Sequence, residues 1–143
     1  MSPLNVSLQL WYAKSSCAGA TSISIGATDT VTAAVVWEVA GIRTDNPLDT
    51  ATALNDQPAS STTVGPMITT SAAGEFVVSV ALAEHAITAI HAGNEFVNDH
   101  ITRGNGWGHL ADPHAAAGVH QAQWDQSPPG GACASAAAFR VGP

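Results

Sequence analysis

Apolar residues at every second position, in short segments bounded by glycine and proline turns, constrain this chain most strongly. Residues 4–12 show the pattern, with apolar side chains at Leu4, Val6, Leu8, Leu10 and Tyr12. A period of two places such side chains on one face of a half-buried strand. Residues 21–25 alternate again after a Ser- and Gly-containing turn. The two segments together predict a β-hairpin.

Two continuous apolar runs predict strands buried more deeply. Residues 33–39 (AAVVWEV) predict a central core strand in which Trp37 is a core residue. Glu38 in this strand either faces outward or, if it is buried, is a candidate site residue. Residues 75–82 (EFVVSVAL) predict a second strong strand because Val is favoured in sheets. Between them, residues 41–61 are rich in Asp, Asn, Pro, Ser and Thr, which predicts a long connection.

The second half of the chain has a weaker pattern. Glycine and proline predict a turn around an aromatic at residues 103–108 (RGNGWG) and a chain break at residues 127–131 (SPPGG). A helix over the sequence AEHAITAI is a less favoured alternative to a strand, since eight residues are short for a stable helix. Strands are predicted over four further segments: residues 86–90, 95–102, 118–124 and 132–141.

Seven to nine short strands without a convincing helix predict an all-β fold. Strands at intervals of about ten residues favour two antiparallel sheets packed face to face, a β-sandwich of jelly-roll or immunoglobulin-like type. A chain of 143 residues is the size of one domain, so residues 1–143 are expected to form a single unit.

Composition excludes several classes of partner. The net charge is −7, and the only basic residues are Lys14, Arg43, Arg103 and Arg140. Nucleic-acid affinity depends on neutralising rows of phosphates, which four scattered cations cannot do. No apolar run has the length of a membrane span, and the first residues do not follow the pattern of a secretory signal. No nucleic acid and no membrane span are therefore expected.

The two cysteines, Cys17 and Cys133, lie far apart in the chain and form no C-x-x-C motif. Two interpretations stay open. They pair if the chain lives outside a reducing compartment, or they are two buried thiols that behave as small apolar side chains.

All six histidines lie between positions 85 and 120. Imidazole is a common metal ligand, and the segment GHLADPH places a carboxylate between two histidines. His109, Asp112 and His114 are therefore a candidate metal site. The alternative is that these histidines lie at the surface or are packed and hydrogen-bonded, because their spacing matches no compact metal motif.

Trp107 is the candidate binding residue. It lies between Gly106 and Gly108 in a polar segment, so we expect an exposed ring suited to sugar stacking or a protein contact. Asn105 and Asp112 are the polar side chains expected beside it. The alternative is that Trp107 fills the space under the loop.

The sequence favours a protein that is not an enzyme. It contains no G-x-S-x-G elbow, no P-loop and no glycine-rich dinucleotide motif. The carboxylates near the histidines form no recognisable acid–base pair. We therefore expect no catalytic residue and no cofactor.

Four segments together resemble a known type of module. They are LQLWYAKSSCAGATSISI, AAVVWEVAGIRTDNPLD, VGPMITTSAAGEFVVSVAL and ASAAAFRV. They are similar to the W-Y-A-K, E-x-x-G-I, N-P-L-D and A-A-F-R pattern of β-sandwich accessory or structural modules in extracellular, polysaccharide-acting and phage-encoded proteins. The likeness covers residues 4–82 and, more loosely, residues 115–141. The histidine-rich segment between them has no counterpart in it.

The resemblance implies a non-catalytic structural role. Members of that group carry further strands before the W-Y-A-K strand, so we expect an open strand edge here that another subunit completes. The leading prediction is a phage virion component, a minor tail or capsid decoration protein that contacts copies of itself or other virion proteins. The alternative is a carbohydrate-binding or adhesion module for a host-surface glycan. Both imply a virion or extracellular location.

Overall fold

A computed structural model describes residues 7–14, 22–26 and 33–142, and these form an all-β structure without a helix. Every strand pairing is antiparallel. The predicted all-β class is confirmed. The eight strands are β1 (Leu48–Val64), β2 (Ile68–Thr69), β3 (Phe76–Ala83), β4 (Ala86–Ile90), β5 (Val97–Thr102), β6 (Asn105–Leu110), β7 (Val119–His120) and β8 (Gln123–Phe139).

The strands form one large sheet and one small one. The large sheet has six strands in the order β1-β8-β3-β6-β5, and β4 also pairs with β8. The small sheet contains only β2 and β7. Strand β8 is therefore the central strand, because β1, β3 and β4 all pair with it. The arrangement is consistent with a β-sandwich.

The large sheet bends back on itself. Gly106 lies in the same row as Ala81 and Ala134, and Trp124 precedes Ala134 by ten positions in the same strand. A flat strand would place Trp124 roughly 33 Å from that row. Instead, a Cβ added at Gly106 would lie only 2.8 Å from Cδ1 of Trp124. The first half of β8 therefore folds over the second half.

The bend follows one line across neighbouring strands. Strand β3 ends and β4 begins on either side of residues 84–85, and both pair with β8. The β1–β8 register shifts at the same level, between Leu54 and Thr62. Nε2 of Gln126 donates hydrogen bonds to Oγ1 of Thr63 at 2.9 Å and to the Gly130 carbonyl at 2.8 Å, which ties the two sides together.

The predicted break at residues 127–131 is wrong. These residues lie inside β8, which runs from Gln123 to Phe139. Proline removes a ladder donor, so residues 128 and 129 lie where the register skips between Asp125 and Gly130. The Pro and Gly residues thus bend a continuous strand.

The main core lies between the two halves of the bent sheet. Its floor is made of small side chains that leave room for large ones folded over them. Trp124 fills this space and is fully buried, together with Ile87 and Phe96. The small residues of β8 that face this core are Ala132, Ala134, Ala136 and Ala138.

A second, smaller cluster covers the outer face of the sheet. Its buried members are Phe76, Val78 and Ala137. The partly buried residues packed against it come mainly from the N-terminal third of the chain: Leu10, Trp37, Val39, Ile42, Leu48 and Phe139.

The strands predicted in the N-terminal third are not present among the residues that the structure describes there, whereas Glu38 is exposed as predicted. Residues 33–39 are not a central strand: they alternate between half-buried and exposed positions over the outer face, and they pair with no strand. Residues 7–12 and 22–25 are also not strands. The remainder of those two predicted strands, residues 4–6 and 21, lies outside the described residues. The apolar patterns of these segments indicate strand propensity, but β8 and β3 occupy the central positions of the large sheet.

The predicted connection over residues 41–61 is wrong for most of its length, since β1 begins at Leu48. The Thr and Ala side chains of β1 lie beside the small side chains of β8. Backbone pairing with β8, rather than an apolar face, therefore holds β1 in the sheet. Three predictions are confirmed more closely. The run at residues 75–82 is β3, residues 86–90 form β4 rather than a helix, and the final apolar segment is the second half of β8.

Candidate functional site

Trp107 is buried, so the prediction of an exposed ring is wrong. It lies within β6 opposite Val80, is 6% exposed, and stacks on the His100 ring with a centroid distance of 5.7 Å. The glycine before it has a packing role, because Gly106 makes room for Trp124 on the opposite face. The predicted loop is thus a turn at Arg103 and Gly104 followed by a strand.

The two polar residues expected beside Trp107 are engaged in local contacts. Nδ2 of Asn105 donates to the Thr102 carbonyl at 3.2 Å across the β5–β6 turn. Oδ1 of Asp112 accepts the His114 backbone N–H at 2.8 Å. These contacts stabilise turns, and the ring they were expected to accompany lies inside the sheet.

The candidate metal site is not brought together. Nδ1 of His109 lies 2.5 Å from Oδ1 of Asp99, whose Oδ2 accepts the Trp37 Nε1–H at 2.7 Å. Asp112 instead holds the backbone of His114. Within the residues that the structure describes, no three His, Cys, Asp or Glu side chains are grouped so that they could hold a metal ion.

Three of the six histidines form separate pairs with carboxylates. In each pair Nδ1 of the imidazole faces one carboxylate oxygen. A histidine that binds a metal is often oriented in this way, but such a site needs further ligands, which the described residues do not group. The pairs are His91 with Asp125 at 2.6 Å, His109 with Asp99 at 2.5 Å, and His120 with Glu95 at 3.0 Å.

Glu95 lies between two open clefts of about 500 Å³ and 340 Å³. Its partner His120 also lies 3.3 Å, through Nε2, from the Thr70 hydroxyl. The order carboxylate, imidazole, hydroxyl is that of an activated nucleophile. However, Thr70 is only 4% exposed. Its hydroxyl donates a hydrogen bond to the Gly118 carbonyl and accepts one from the Gly118 N–H. The array therefore ties β2 to β7 and presents no accessible nucleophile.

Sequence reasoning missed a buried pair of carboxylates. Asp49 accepts the Ser71 hydroxyl at 2.7 Å and the Ser71 N–H at 2.8 Å, and it pairs with Arg140 at 2.6 Å. Oε1 of Glu75 accepts the Ala72 N–H at 3.2 Å, while its Oε2 is buried without a hydrogen-bond partner among the described residues. The only signal was that Glu75 begins a predicted core strand.

The two carboxyls have opposite pKa shifts. Burial, followed by the negative charge of Asp49, raises the pKa of Glu75. Burial also raises the pKa of Asp49, but the hydrogen bonds from Ser71 and Glu75 and the charge of Arg140 outweigh it, so the pKa of Asp49 is lowered. The arrangement favours an ionised Asp49 beside a Glu75 whose pKa is raised, so that Glu75 keeps its proton to a higher pH than its usual pKa of 4.5 would allow.

Replacing Glu75 by glutamine is expected to change how stability depends on pH. A raised folded-state pKa contributes stability that is complete below the unfolded pKa and is lost as pH rises through the folded pKa. Glu75→Gln removes this loss, so its melting temperature relative to wild type should be higher at about pH 8 than at about pH 5. The lowered pKa of Asp49 has the opposite effect on stability. Its stabilising contribution is lost as pH falls through the folded-state pKa of Asp49, which lies in a more acidic range.

The control for this prediction is Glu38→Gln, because Glu38 is exposed. Thermal melts of wild type and both variants across the pH range provide the measurement. A Glu75→Gln difference that stayed constant with pH, or one that Glu38→Gln reproduced, would contradict the assignment.

Exposed apolar side chains are concentrated in the N-terminal third. Among the large apolar residues described there, Trp11 is the most exposed, at 86%. Contact with water is unfavourable for such side chains, so burial against another protein would stabilise them. The exposed large apolar residues of this third are Trp11, Tyr12, Ile23, Ile25 and Val36.

Three strands of the large sheet are edges as far as the structure describes the chain. Within that part, β1 and β4 each pair only with β8, and β5 pairs only with β6. An edge presents unpaired backbone N–H and C=O groups that another strand can bind. Cys133 lies partly buried in β8, and its pairing with Cys17 falls outside the described residues.

Comparisons of the chain with protein-family models, curated proteins and solved structures find no significant match. Among the described residues, no helix has the length and apolar character needed to cross a membrane.

Proposed function

We propose that this chain is a non-catalytic structural subunit that assembles through strand edges and sheet faces with copies of itself or with other proteins of the same particle. The observation that carries the proposal is the exposure of Trp11, Tyr12, Ile23, Ile25 and Val36, together with the strand edges that lack a second partner among the described residues. Such side chains bind neighbouring subunits because association removes them from water.

The polar side chains that could act in catalysis are hydrogen-bonded within the protein, which favours a role in assembly. Three histidines are paired with carboxylates, and the Thr70 hydroxyl is bonded to Gly118. The buried Trp107 also removes the aromatic platform on which a glycan-binding role was based. The proposal therefore rests on surfaces rather than on a reactive cleft.

The more specific proposal is a minor tail or capsid decoration protein of a phage, located in the virion or outside the cell. It is supported by the similarity of residues 4–82 to β-sandwich structural modules and by the low charged fraction of 10%. A surface with few charges is easier to bury against another protein, because fewer ions lose their hydration.

The test is the mass of the purified protein in solution at micromolar concentration. Light scattering and negative-stain images should show oligomers or particles for wild type. The triple variant Trp11→Ser, Ile23→Ser and Val36→Ser should shift the mass towards a monomer, since all three replaced side chains are exposed.

The matched control replaces two exposed apolar residues elsewhere, with Met67→Ser and Val119→Ser. It should leave the mass unchanged. A wild-type protein that is a monodisperse monomer with a cooperative melt would refute the proposal. A control variant that dissociates as fully as the triple variant would refute the role of the N-terminal third.

A further inference from the structure

The outer edge of β1 contains one segment without the charges, prolines or bulges that usually prevent an edge strand from pairing with another chain. Residues 50–54 (TATAL) carry no charge and no proline, and within the described chain their strand pairs on one side only, with β8. Natural edge strands are usually protected by charge, proline or a bulge. An unprotected stretch of five residues can therefore accept another strand.

The remaining edge positions are protected. Later in β1, Asp56 has a positive φ of 51°, Pro58 follows, and the register shifts around Gln57 and Ser60. At the other two edges of the large sheet, the register is irregular in β5 between Asn98 and His100 and in β4 between Ile87 and Ala89. Bulges and charges of this kind discourage edge pairing. Residues 50–54 are thus the most favourable edge.

The nearest charge does not oppose pairing. Asp49 precedes the segment, but its carboxylate pairs with Arg140 at 2.6 Å and accepts two hydrogen bonds from Ser71. Its side chain is largely buried in these contacts. Two copies that meet at this edge therefore do not bring two free carboxylates together.

We propose that residues 50–54 of two copies pair antiparallel about a two-fold axis centred on Thr52, which joins the two large sheets into one. The inference rests on the proposed assembly function and names the edge that carries it. The partner chemistry is that of the same segment, so Thr52 lies opposite the partner's Thr52 and Ala51 lies opposite the partner's Ala53. Thr50 then lies opposite the partner's Leu54.

This centring matches the faces of the strand. Opposite residues in an antiparallel pair point to the same face. Thr50, Thr52 and Leu54 pair with Ala138, Ala136 and Ala134 of the core face. Ala51 and Ala53 are exposed on the other face and present only methyl groups. The stretch that pairs regularly with β8 between two register shifts, residues 50–54, is symmetric about Thr52, so this register uses all five residues.

Disulfide capture tests the register directly, even for a weak interface. In a Cys17→Ser, Cys133→Ser background, Thr52→Cys should form a covalent dimer under mild oxidation, which doubles the chain mass of 14.5 kDa. Thr50→Cys is the matched control, since centred pairing separates the two copies of position 50 by about 14 Å along the strand. A disulfide needs Cα atoms about 4.4–6.8 Å apart.

A second pair of variants tests the same edge without cysteines. Ala53 and Ala59 are both exposed residues of β1, but only Ala53 lies in the open segment. Ala53→Lys should lower the mass of the wild-type assembly, because a charge on an edge opposes pairing. Ala59→Lys should leave it unchanged.

The outcomes separate this inference from the proposed function. If wild type assembles while Thr52→Cys and Thr50→Cys cross-link equally or not at all, the β1 pairing is wrong and the structural role stands. Equal effects of the two lysine variants would also overturn the pairing. If wild type is a monomer and no cross-link forms, both proposals fail.

Discussion

Trp124→Ala is expected to lower the free energy of unfolding by about 3–5 kcal/mol, the range for truncating a buried aromatic side chain. Trp124 is 0% exposed and fills the space between the halves of the bent sheet. The indole packs on Gly106 and beside Ile87. Alanine would leave a cavity that the methyl groups of β8 cannot fill.

Trp11→Ala provides the matched control, because Trp11 is exposed. The same truncation there should change stability by less than about 0.5 kcal/mol. Denaturant unfolding of both variants at a concentration below that of assembly gives the comparison. Similar losses at the two positions would mean that the sheet does not fold over Trp124.

Gly104→Ala is expected to destabilise the protein by about 3 kcal/mol, at the upper end of the usual cost of overpacking. A Cβ at this position would overlap the Ala83 carbonyl oxygen and lie 3.1 Å from the His85 carbonyl oxygen. Both neighbours are backbone atoms that cannot rotate away. The Ala83 N–H donates to the Gly104 carbonyl at 2.6 Å, so relief of the overlap would also disturb this bond.

Gly26→Ala is the control for the glycine prediction, since no atom of the described residues, apart from Gly26 and its chain neighbours, lies within 4 Å of a Cβ added there. Removing a glycine from an open site should be neutral or slightly stabilising, because it restricts the unfolded chain. Thermal and denaturant melts of the two variants should differ clearly. A Gly104→Ala protein as stable as wild type would contradict the close approach of β3 and the β5–β6 turn.

The strands that could be predicted are those with strong local signals. Residues 75–82 combine β-branched side chains with flanking turns, and they form β3 as expected. The strand β1 carries no such signal, because its Thr and Ala side chains gain their environment from β8, which follows it by about sixty residues or more. Nonlocal backbone pairing of this kind leaves no local periodicity to detect.

Residues 33–39 show the opposite error. Their apolar run predicted a central strand, yet they pack by side chains on the outer face and Trp37 bonds Asp99. The run was apolar enough for burial, but a local pattern cannot say which strand takes the centre. That position depends on long-range pairing, and β8 occupies it.

The candidate site was misread for a related reason. Glycines beside Trp107 are typical of a loop, but Gly106 is needed because Trp124 of another strand packs on it. The histidines likewise pair with carboxylates that their spacing in the sequence does not indicate, as His120 does with Glu95. The concentration of histidines in one segment could not indicate which carboxylates they would pair with.

The position of β8 at the centre of the sheet has a consequence for biosynthesis. Both β1 and β3 pair with β8, which the ribosome makes after the other seven strands that the structure describes. Until then the apolar strand FVVSVALA lacks one of its two neighbours. Strand partners this distant in the chain meet slowly, and exposed apolar strands aggregate. The synthesis of β8 therefore determines when β1 and β3 gain the partner that covers them.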